Sequence, residues 1–253
     1  MKISRYLAGF ALLLLSLPVL DECSRPNWLV QKYGPKLYSQ FDEELIIRDF
    51  FNDMKNGFFV DIGASDSRRD STSYYLEKSL GWRGIAVDAN AKFEAGYLEY
   101  RKNTEFFNFF ISDRSDDLAD FYYIPQNDRM SSGSESWAEK GARRAGGGYD
   151  KIKVPTITLN DLLKREGVSH FDFLSMDIEN FEPVALAGFD IDTYRPALVC
   201  IEAHKEVRGQ ILAYFSKHGY ALIKKYLSVD HVNFYFSPQD PRVGQVAHAL
   251  VTK

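Results

Sequence analysis

The stretch FFVDIGASDSRRDS, residues 58–71, runs from apolar positions into Asp61, Gly63 and a cluster of small polar residues. This pattern predicts a buried strand over 57–62 followed by a turn. A buried carboxylate is costly unless it is hydrogen-bonded or paired with a cation. We therefore expect Asp61 and the turn after it to hold a ligand.

The composition indicates a globular protein without a nucleic-acid partner. The 253 residues, 45% of them hydrophobic, can bury a full-sized core in one domain. Lys and Arg number 31 against 35 Asp and Glu, which gives a net charge of -4 and no basic run to neutralise a phosphate backbone. Cys23 and Cys200 lie far apart, so neither a disulfide framework nor a cysteine-rich zinc site is predicted.

Short apolar runs alternate with amphipathic stretches, which is the pattern of β-α-β units around a mostly parallel sheet. Strands are predicted over 57–62, 84–88, 106–111, 171–176, 197–202, 220–225 and 232–236. Helices are predicted over 39–54, 70–80, 91–101, 158–166, 181–187 and 205–218. The segment 114–157 interrupts this order, and we interpret it as an inserted hairpin with a mobile loop that covers a site.

Ligands of such sheets bind beyond the carboxyl ends of the strands, so residues at predicted strand ends are the candidate site. The first strand ends in Asp61, and the next ends in Asp88. An acid at the position of Asp88 is placed to accept both hydroxyls of a ribose. The third strand ends in Ser112 and Asp113, where a carboxylate can accept from an adenine amine.

The turn after the first strand lacks the glycines of a dinucleotide site. The motif G-x-G-x-x-G lets the backbone approach a pyrophosphate, but here Gly63 is followed by Ala64, Ser65 and Asp66. Asp61 and Asp66 would also repel a phosphate. An acidic turn favours a cofactor with a cationic amino group and a sulfonium, and S-adenosylmethionine has both.

Several motifs, in order, resemble the FkbM family of methyltransferases. They are FVDIGASDS with TSYYLEKSLGWRGIAVDAN, the SDR of 112–114, VPTITLNDLL, FLSMDIENFEPVALAGF and ALVCIEAH. The resemblance implies a Rossmann-like class I methyltransferase fold, with helices on both faces of a mostly parallel seven-stranded sheet. It also implies S-adenosylmethionine as methyl donor and a hydroxyl acceptor on a sugar, glycolipid or secondary metabolite. Ser67 and Asn180 stand where the family pattern usually has glycine.

The strand ends and the resemblance together define a predicted site. Glu179, Glu202 and His204, at the ends of the fourth and fifth strands, are predicted to be catalytic. His204 is the favoured general base because an unperturbed imidazole titrates near ~6.5. No spacing requires a metal, and none is predicted, but three carboxylates and a histidine within reach leave a catalytic divalent metal open as an alternative. The predicted cofactor-binding residues are Asp61, Gly63, Ala64, Asp66, Asp88, Ala89, Ser112, Asp113 and Asp177.

Two other functions stay open at this stage. A membrane-tethered, non-catalytic binding module would keep the fold and have lost catalysis through changes such as Asn180. A nicotinamide-dependent oxidoreductase is disfavoured by the acidic turn with its single glycine. The sequence does not specify the acceptor further than a small molecule or a glycan.

The amino-terminal segment 1–24 differs from the rest of the chain. Lys2 and Arg5 precede the apolar stretch YLAGFALLLLSLPVL, which is short for a bilayer span of ~20 residues. We expect an uncleaved signal anchor, with a cleaved signal peptide or a misassigned start before a soluble enzyme as alternatives. The protein is thus predicted to be membrane-associated, with the side of the membrane open: Lys2 and Arg5 favour an outside domain, whereas an active enzyme favours the cytosolic face, because S-adenosylmethionine is made there. A linker over 25–38, a methyltransferase domain over 39–240 and a tail over 241–253 complete the predicted organisation.

Overall fold

The computed structural model describes residues 28–239, which form ten strands and nine α-helices. The strands are β1 (Phe58–Ile62), β2 (Arg83–Asp88), β3 (Thr104–Asn108), β4 (Phe110–Ile111), β5 (Leu118–Tyr123), β6 (Asp150–Ile157), β7 (Phe173–Met176), β8 (Leu198–Glu202), β9 (Tyr220–Leu222) and β10 (Asn233–Pro238). The α-helices are α1 (Trp28–Tyr33), α2 (Glu43–Phe51), α3 (Tyr74–Leu80), α4 (Glu94–Tyr100), α5 (Glu135–Ala145), α6 (Leu159–Arg165), α7 (Glu182–Ala187), α8 (Ile191–Tyr194) and α9 (Arg208–Lys217). Short 3₁₀ helices lie at Ala91–Phe93, Asp128–Met130 and Lys224–Ser228.

Seven strands form the main sheet in the order β3-β2-β1-β7-β8-β10-β9. Strands β3, β2, β1, β7 and β8 are parallel to one another, and β10 runs antiparallel to both β8 and β9. The order reverses between β1 and β7, which places a ligand crevice at their carboxyl ends. The predicted fold class is confirmed.

Both faces of the main sheet are covered, which explains the continuous apolar runs of its strands. Successive side chains of a strand point to opposite faces. In β1, Val60 and Ile62 pack into the larger core, with helices α6, α7 and α9. Phe59 packs into the second core, with α2 and α3. Because helices cover both faces of the sheet at β1, Asp61 in this strand has little access to water.

The inserted segment forms a second sheet, in the order β4-β6-β5. The predicted hairpin is present, because β5 and β6 pair antiparallel from Leu118 opposite Pro155 to Tyr123 opposite Asp150. The connection between these strands contains α5, which the sequence analysis described only as a loop. The predicted strand 106–111 is divided between β3 in the main sheet and β4 in the small one.

The prediction of a membrane-associated protein is corrected. None of the helices in residues 28–239 is long and apolar enough to cross a bilayer. The predicted anchor 1–24 and the predicted tail 241–253 lie outside these residues. Part of the predicted linker 25–38 is helix α1, whose Leu29 is fully buried in the core beside α2.

Candidate active site

A cavity of about 460 Å³ opens at the carboxyl ends of β1, β2, β7 and β8, where the strand order reverses. Ligands of open parallel sheets bind at this position. The cavity brings together most of the predicted site residues. These are Asp61, Gly63, Ala64, Asp88, Ala89, Asp177, Glu179, Glu202 and His204.

Three predicted cofactor-binding residues do not line this cavity. Asp66 Oδ1 accepts hydrogen bonds from the N–H groups of Arg68 (3.0 Å) and Arg69 (2.8 Å), so it closes a turn. Ser112 Oγ donates to Asp113 Oδ1 at 3.2 Å, and the Asp113 side chain is 49% exposed. The predicted contact of Asp113 with adenine therefore gains no support from the geometry.

Asp88 joins the loops that follow β1 and β2. Its Oδ2 atom accepts from the Ser65 N–H at 2.9 Å, and its Oδ1 atom accepts from the Asn90 N–H at 2.8 Å. Burial raises the pKa of Asp88 to about 6. Hydrogen bonds from the Asn90 and Ser65 N–H groups lower this pKa, and repulsion from Asp128 and Asp61 raises it further. Each oxygen keeps a second lone pair. This geometry fits the predicted acceptance of ribose hydroxyls.

Asp61 is the buried acid of the opening stretch, with 3% of its surface exposed. Its Oδ2 atom has no hydrogen-bond partner among residues 28–239. Burial raises the pKa of Asp61, and Ser73, Arg101 and Ser175 act in the opposite direction. A buried oxygen with a free lone pair beside the cavity is placed to accept from a cationic amino group.

Gly63 allows a close contact between the loops after β1 and β7. Its φ is +78°, and a Cβ atom would lie 1.8 Å from the Asp177 carbonyl oxygen, so no other residue fits. The Asp177 N–H donates to the Ile62 carbonyl at 3.0 Å, which fixes the same two loops. Ser67, in contrast, is not among the residues with positive φ, so serine replaces the family glycine there without backbone strain.

A buried arginine that the sequence analysis missed holds the loop after Gly63. Arg101 Nε donates to Glu77 Oε2 at 2.5 Å, and its Nη1 atom donates to the Ser67 carbonyl at 2.9 Å. Its Nη2 atom donates to Ser73 Oγ at 3.1 Å and to Thr104 Oγ1 at 3.0 Å. The Arg101 side chain has no exposed surface. Most of its partners lie 24 or more positions away, so the local sequence carries no signal for this network.

Glu179, Glu202 and His204 meet at the ends of β7 and β8. His204 Nε2 lies 3.5 Å from Glu179 Oε2 and 2.8 Å from Glu202 Oε1. Interactions with Glu179 and Glu202 raise the pKa of His204 to about 10, although burial lowers it. This shift favours the protonated imidazole at neutral pH, the form that cannot accept a proton. The assumption of an unperturbed imidazole is wrong.

Two further carboxyl groups extend this cluster. Asp177 is exposed towards the cavity, and desolvation together with repulsion from Glu202 and Glu179 raises the pKa of its carboxyl group. Glu182, in the first turn of α7, is fully buried. Its Oε1 atom accepts from the Ile178 N–H at 3.0 Å. Burial, followed by repulsion from Glu202, raises the pKa of Glu182 to about 8.

The loop after β7 has an unusual backbone at two consecutive residues. Glu179 has φ of +56° and Asn180 has φ of +73°. Glycine is favoured in this region, and asparagine is among the few other residues that tolerate it. Asn180 therefore keeps a conformation that suits the family glycine, and the suggested loss of catalysis has no basis in the backbone here.

The inserted segment contacts the catalytic cluster through Glu179. Trp137 Nε1, on α5, donates to Glu179 Oε2 at 2.6 Å. Ser132 Oγ donates to the Glu179 carbonyl at 2.7 Å. The ring centroids of Trp137 and His204 lie 4.5 Å apart. The sequence analysis expected this segment to cover a site but did not identify Trp137.

The inserted segment also contacts the cofactor side of the cavity. Residues between 127 and 133 contribute to the cavity lining. An ion pair between Lys92 and Asp128 joins the segment to the loop after β2. A second ion pair, between Arg129 and Asp70, joins it to the loop after β1. The segment thus spans the opening from the cofactor side to the catalytic side.

The strand order, the antiparallel β10 and the crevice lined by strand-end acids define a Rossmann-like methyltransferase of class I. The methyltransferase FkbM domain matches residues 61–222, which is most of the chain. The chain belongs to the FkbM methyltransferase family. The predicted family and the predicted cofactor, S-adenosylmethionine, are confirmed.

Solved structures with similar folds have low sequence identity to this chain. A TehB-like SAM-dependent methyltransferase from Corynebacterium glutamicum has 12% identity and a TM-score of 0.44, covering 83% of this chain and 92% of its own. A precorrin-6y C5,15-methyltransferase from Geobacter metallireducens has 10% identity and a TM-score of 0.42, covering 76% and 84%. The Burkholderia thailandensis 1,6-didemethyltoxoflavin-N1-methyltransferase, bound to 1,6-didemethyltoxoflavin and S-adenosylhomocysteine, has 11% identity and a TM-score of 0.39, covering 78% and 77%. No curated protein sequence gives a significant match.

Proposed function

We propose that this methyltransferase acts on a hydroxyl group of a sugar, glycolipid or secondary metabolite. The observation that carries this proposal is the position of Glu179, Glu202 and His204, which face the same cavity as the cofactor residues Asp61 and Asp88. An alcohol must lose its proton to become a methyl ether. Proton-accepting groups beside the donor pocket are the groups that such a reaction needs.

The donor would lie along the loops after β1 and β2. Asp88 would accept the ribose hydroxyls, and Asp61 would accept from the amino group of the methionine part. Gly63 and Ala64 would allow the close approach of the cofactor, with Ala89 beside the adenosine. These roles follow from the hydrogen-bonding capacity and position of each residue in the cavity.

The acceptor oxygen would attack the methyl carbon in line with the bond to sulfur. The new C–O bond forms while the C–S bond breaks, S-adenosylhomocysteine leaves, and the hydroxyl proton passes to the cluster. Glu179 is the better acceptor in the structure described here, because burial raises its pKa, whereas the two neighbouring carboxylates raise the pKa of His204 and favour its protonated form. His204 and Glu202 would then orient Glu179 and balance its charge.

The test uses S-adenosylmethionine labelled in the methyl group and a panel of sugars, glycolipids and hydroxylated metabolites. The expected product carries label that survives mild alkali, because methyl ethers resist hydrolysis and methyl esters do not. Glu179→Gln is expected to lower turnover by ~10²- to 10⁴-fold, the usual range for loss of general-base help. Glu206→Gln, in an exposed position of the same loop as His204, is the matched control. Label released by alkali, or equal activity of both variants, would contradict the proposal.

A further inference from the structure

The cluster at the ends of β7 and β8 holds four carboxyl groups and little positive charge. Within residues 28–239, no lysine or arginine forms an ion pair with Asp177, Glu179, Glu182 or Glu202, and His204 pairs with Glu179 and Glu202. Carboxyl groups packed this closely repel one another when ionised, so they need protons or a cation between them. A bound cation is one way to meet this need.

Glu179, Glu202 and His204 have the spacing of metal ligands. Each offers one ligand atom, and these atoms lie within 4.8 Å of one another. Ligands bound at about 2.0–2.2 Å to one metal ion lie up to about 4.4 Å apart, so small side-chain movements would complete the site. All three residues line the cavity, which leaves one side open to a substrate.

Glu202 provides an independent indication of a missing partner. Its side chain is 7% exposed, and its Oε2 atom has no hydrogen-bond partner among the described residues. His204 Nε2 also lacks a hydrogen bond of good geometry within this part of the chain, although Glu202 Oε1 lies 2.8 Å away. Buried polar atoms are normally satisfied. Glu202 Oε2 therefore requires either a proton on the neighbouring Asp177 carboxyl group, which interacts with Glu202, or a bound cation.

We propose that Glu179, Glu202 and His204 bind one divalent first-row transition metal ion. Imidazole suits Zn²⁺, Fe²⁺ and related ions and carboxylates suit Mn²⁺, whereas Mg²⁺ and Ca²⁺ prefer oxygen ligands alone. A coordination position open to substrate is typical of a catalytic metal. The binding site stands on this geometry, and the ion would take the place of the His204 proton, because metal ligands bind in their deprotonated form. Its role rests on the proposed function: the ion would hold the acceptor oxygen and favour loss of its proton, with Glu179 as a ligand instead of the proton acceptor.

A second group with similar spacing consists of Asp177, Glu182 and Glu202. Glu182 is fully buried and away from the cavity lining, and its Oε1 atom already accepts from the Ile178 N–H. A metal there would have no position open to substrate on the Glu182 side. We therefore assign the ion to the group that contains His204.

The test uses untagged full-length protein treated with a chelator, because a histidine tag binds the same ions. Mn²⁺ is added and followed by electron paramagnetic resonance, and Zn²⁺ is added and followed by calorimetry. One ion per chain is expected. Glu202→Gln and His204→Gln are each expected to weaken binding by about 100-fold or more, since loss of even an outer-shell partner typically costs 10- to 100-fold. Glu206→Gln, a similar change in charge at an exposed position, is expected to leave binding unchanged.

Circular dichroism shows whether each variant is folded. If the buried change Glu202→Gln prevents folding, His204→Gln, at a partly exposed position, still tests the metal site. Absence of Mn²⁺ and Zn²⁺ binding to the wild-type protein would overturn the proposal in favour of a proton shared between carboxyl groups. Binding lost in Glu182→Gln but kept in His204→Gln would overturn the assignment of ligands. Affinity for S-adenosylmethionine is measured on the same samples, so a failed metal site is distinguished from a failed methyltransferase.

Discussion

Trp137 Nε1 and Glu179 Oε2 are joined by a hydrogen bond of 2.6 Å that connects the inserted helix α5 to the loop after β7. The two residues lie 42 positions apart in sequence. The bond holds the Glu179 carboxylate in one orientation at the edge of the cavity. The inserted segment therefore contributes directly to the position of Glu179, the proton acceptor under the proposed function.

Trp137→Phe removes this donor and keeps an aromatic ring. A hydrogen bond to a charged group contributes about 1.5–3 kcal/mol, so turnover is expected to fall by about ten- to a hundredfold. Donor affinity, measured by calorimetry, is expected to stay within about twofold, because the cofactor residues are not touched. Tyr149→Phe, which removes a hydrogen bond to Glu135 in the same segment, is the control. An equal loss in both variants would indicate general disturbance of the segment.

Asp88→Ala tests the donor pocket. The change removes two hydrogen-bond acceptors for the ribose, so the dissociation constant for S-adenosylmethionine is expected to rise by about ten- to over a hundredfold. Calorimetry on the folded variant measures this directly. Asp150→Ala, at an exposed position of β6, is expected to leave the constant unchanged. Unaltered affinity in Asp88→Ala would remove Asp88 from the cofactor site.

The affinity for S-adenosylmethionine is expected to depend on pH through Asp88. The pKa of Asp88 is about 6 in the folded protein, above the ordinary value of 3.8. The protonated carboxyl group therefore stabilises the fold; this stabilisation is fully present below pH ~4 and is lost as the pH rises through ~6. Ribose hydroxyls favour the ionised carboxylate, so donor affinity should change in the opposite sense and rise by about tenfold between pH 5 and 7. Asp61 and Asp128 also act on Asp88 and can broaden the transition. Calorimetry across this range should give a flat response for Asp88→Asn; a persistent rise would assign the effect to another group.

Arg101→Met should destabilise the fold more than a surface change of the same kind. It leaves Glu77 buried without its cation, and breaking a buried pair in this way typically costs about 3–5 kcal/mol. Chemical denaturation measures the free energy of unfolding. Arg144→Met, at an exposed position of α5, should change it by less than about 0.5 kcal/mol. Similar small effects for both variants would show that the Glu77 carboxylate finds another partner or water.

The main sheet was predictable because its strands are short apolar runs with acids at their ends. Helix α5 was not, although its sequence is amphipathic, since its buried residues are the small Ala138, Gly141 and Ala142 and not large apolar side chains, and Gly-rich sequence follows it. Within the site, Asp88 and Glu202 were predictable as strand-end acids. Arg101 and Trp137 act through partners distant in sequence, and no local pattern indicates such contacts.

The contact between Gly63 and the Asp177 carbonyl has a mechanical consequence. With no room for even a methyl group between them, the loop after β1 and the loop after β7 are in direct backbone contact, and a side chain at position 63 would push them apart. If the donor and the acceptor bind along these two loops as proposed, the separation of the reacting atoms depends on this contact. We therefore expect Gly63→Ala to lower turnover by changing the distance between the two substrates rather than by removing a functional group.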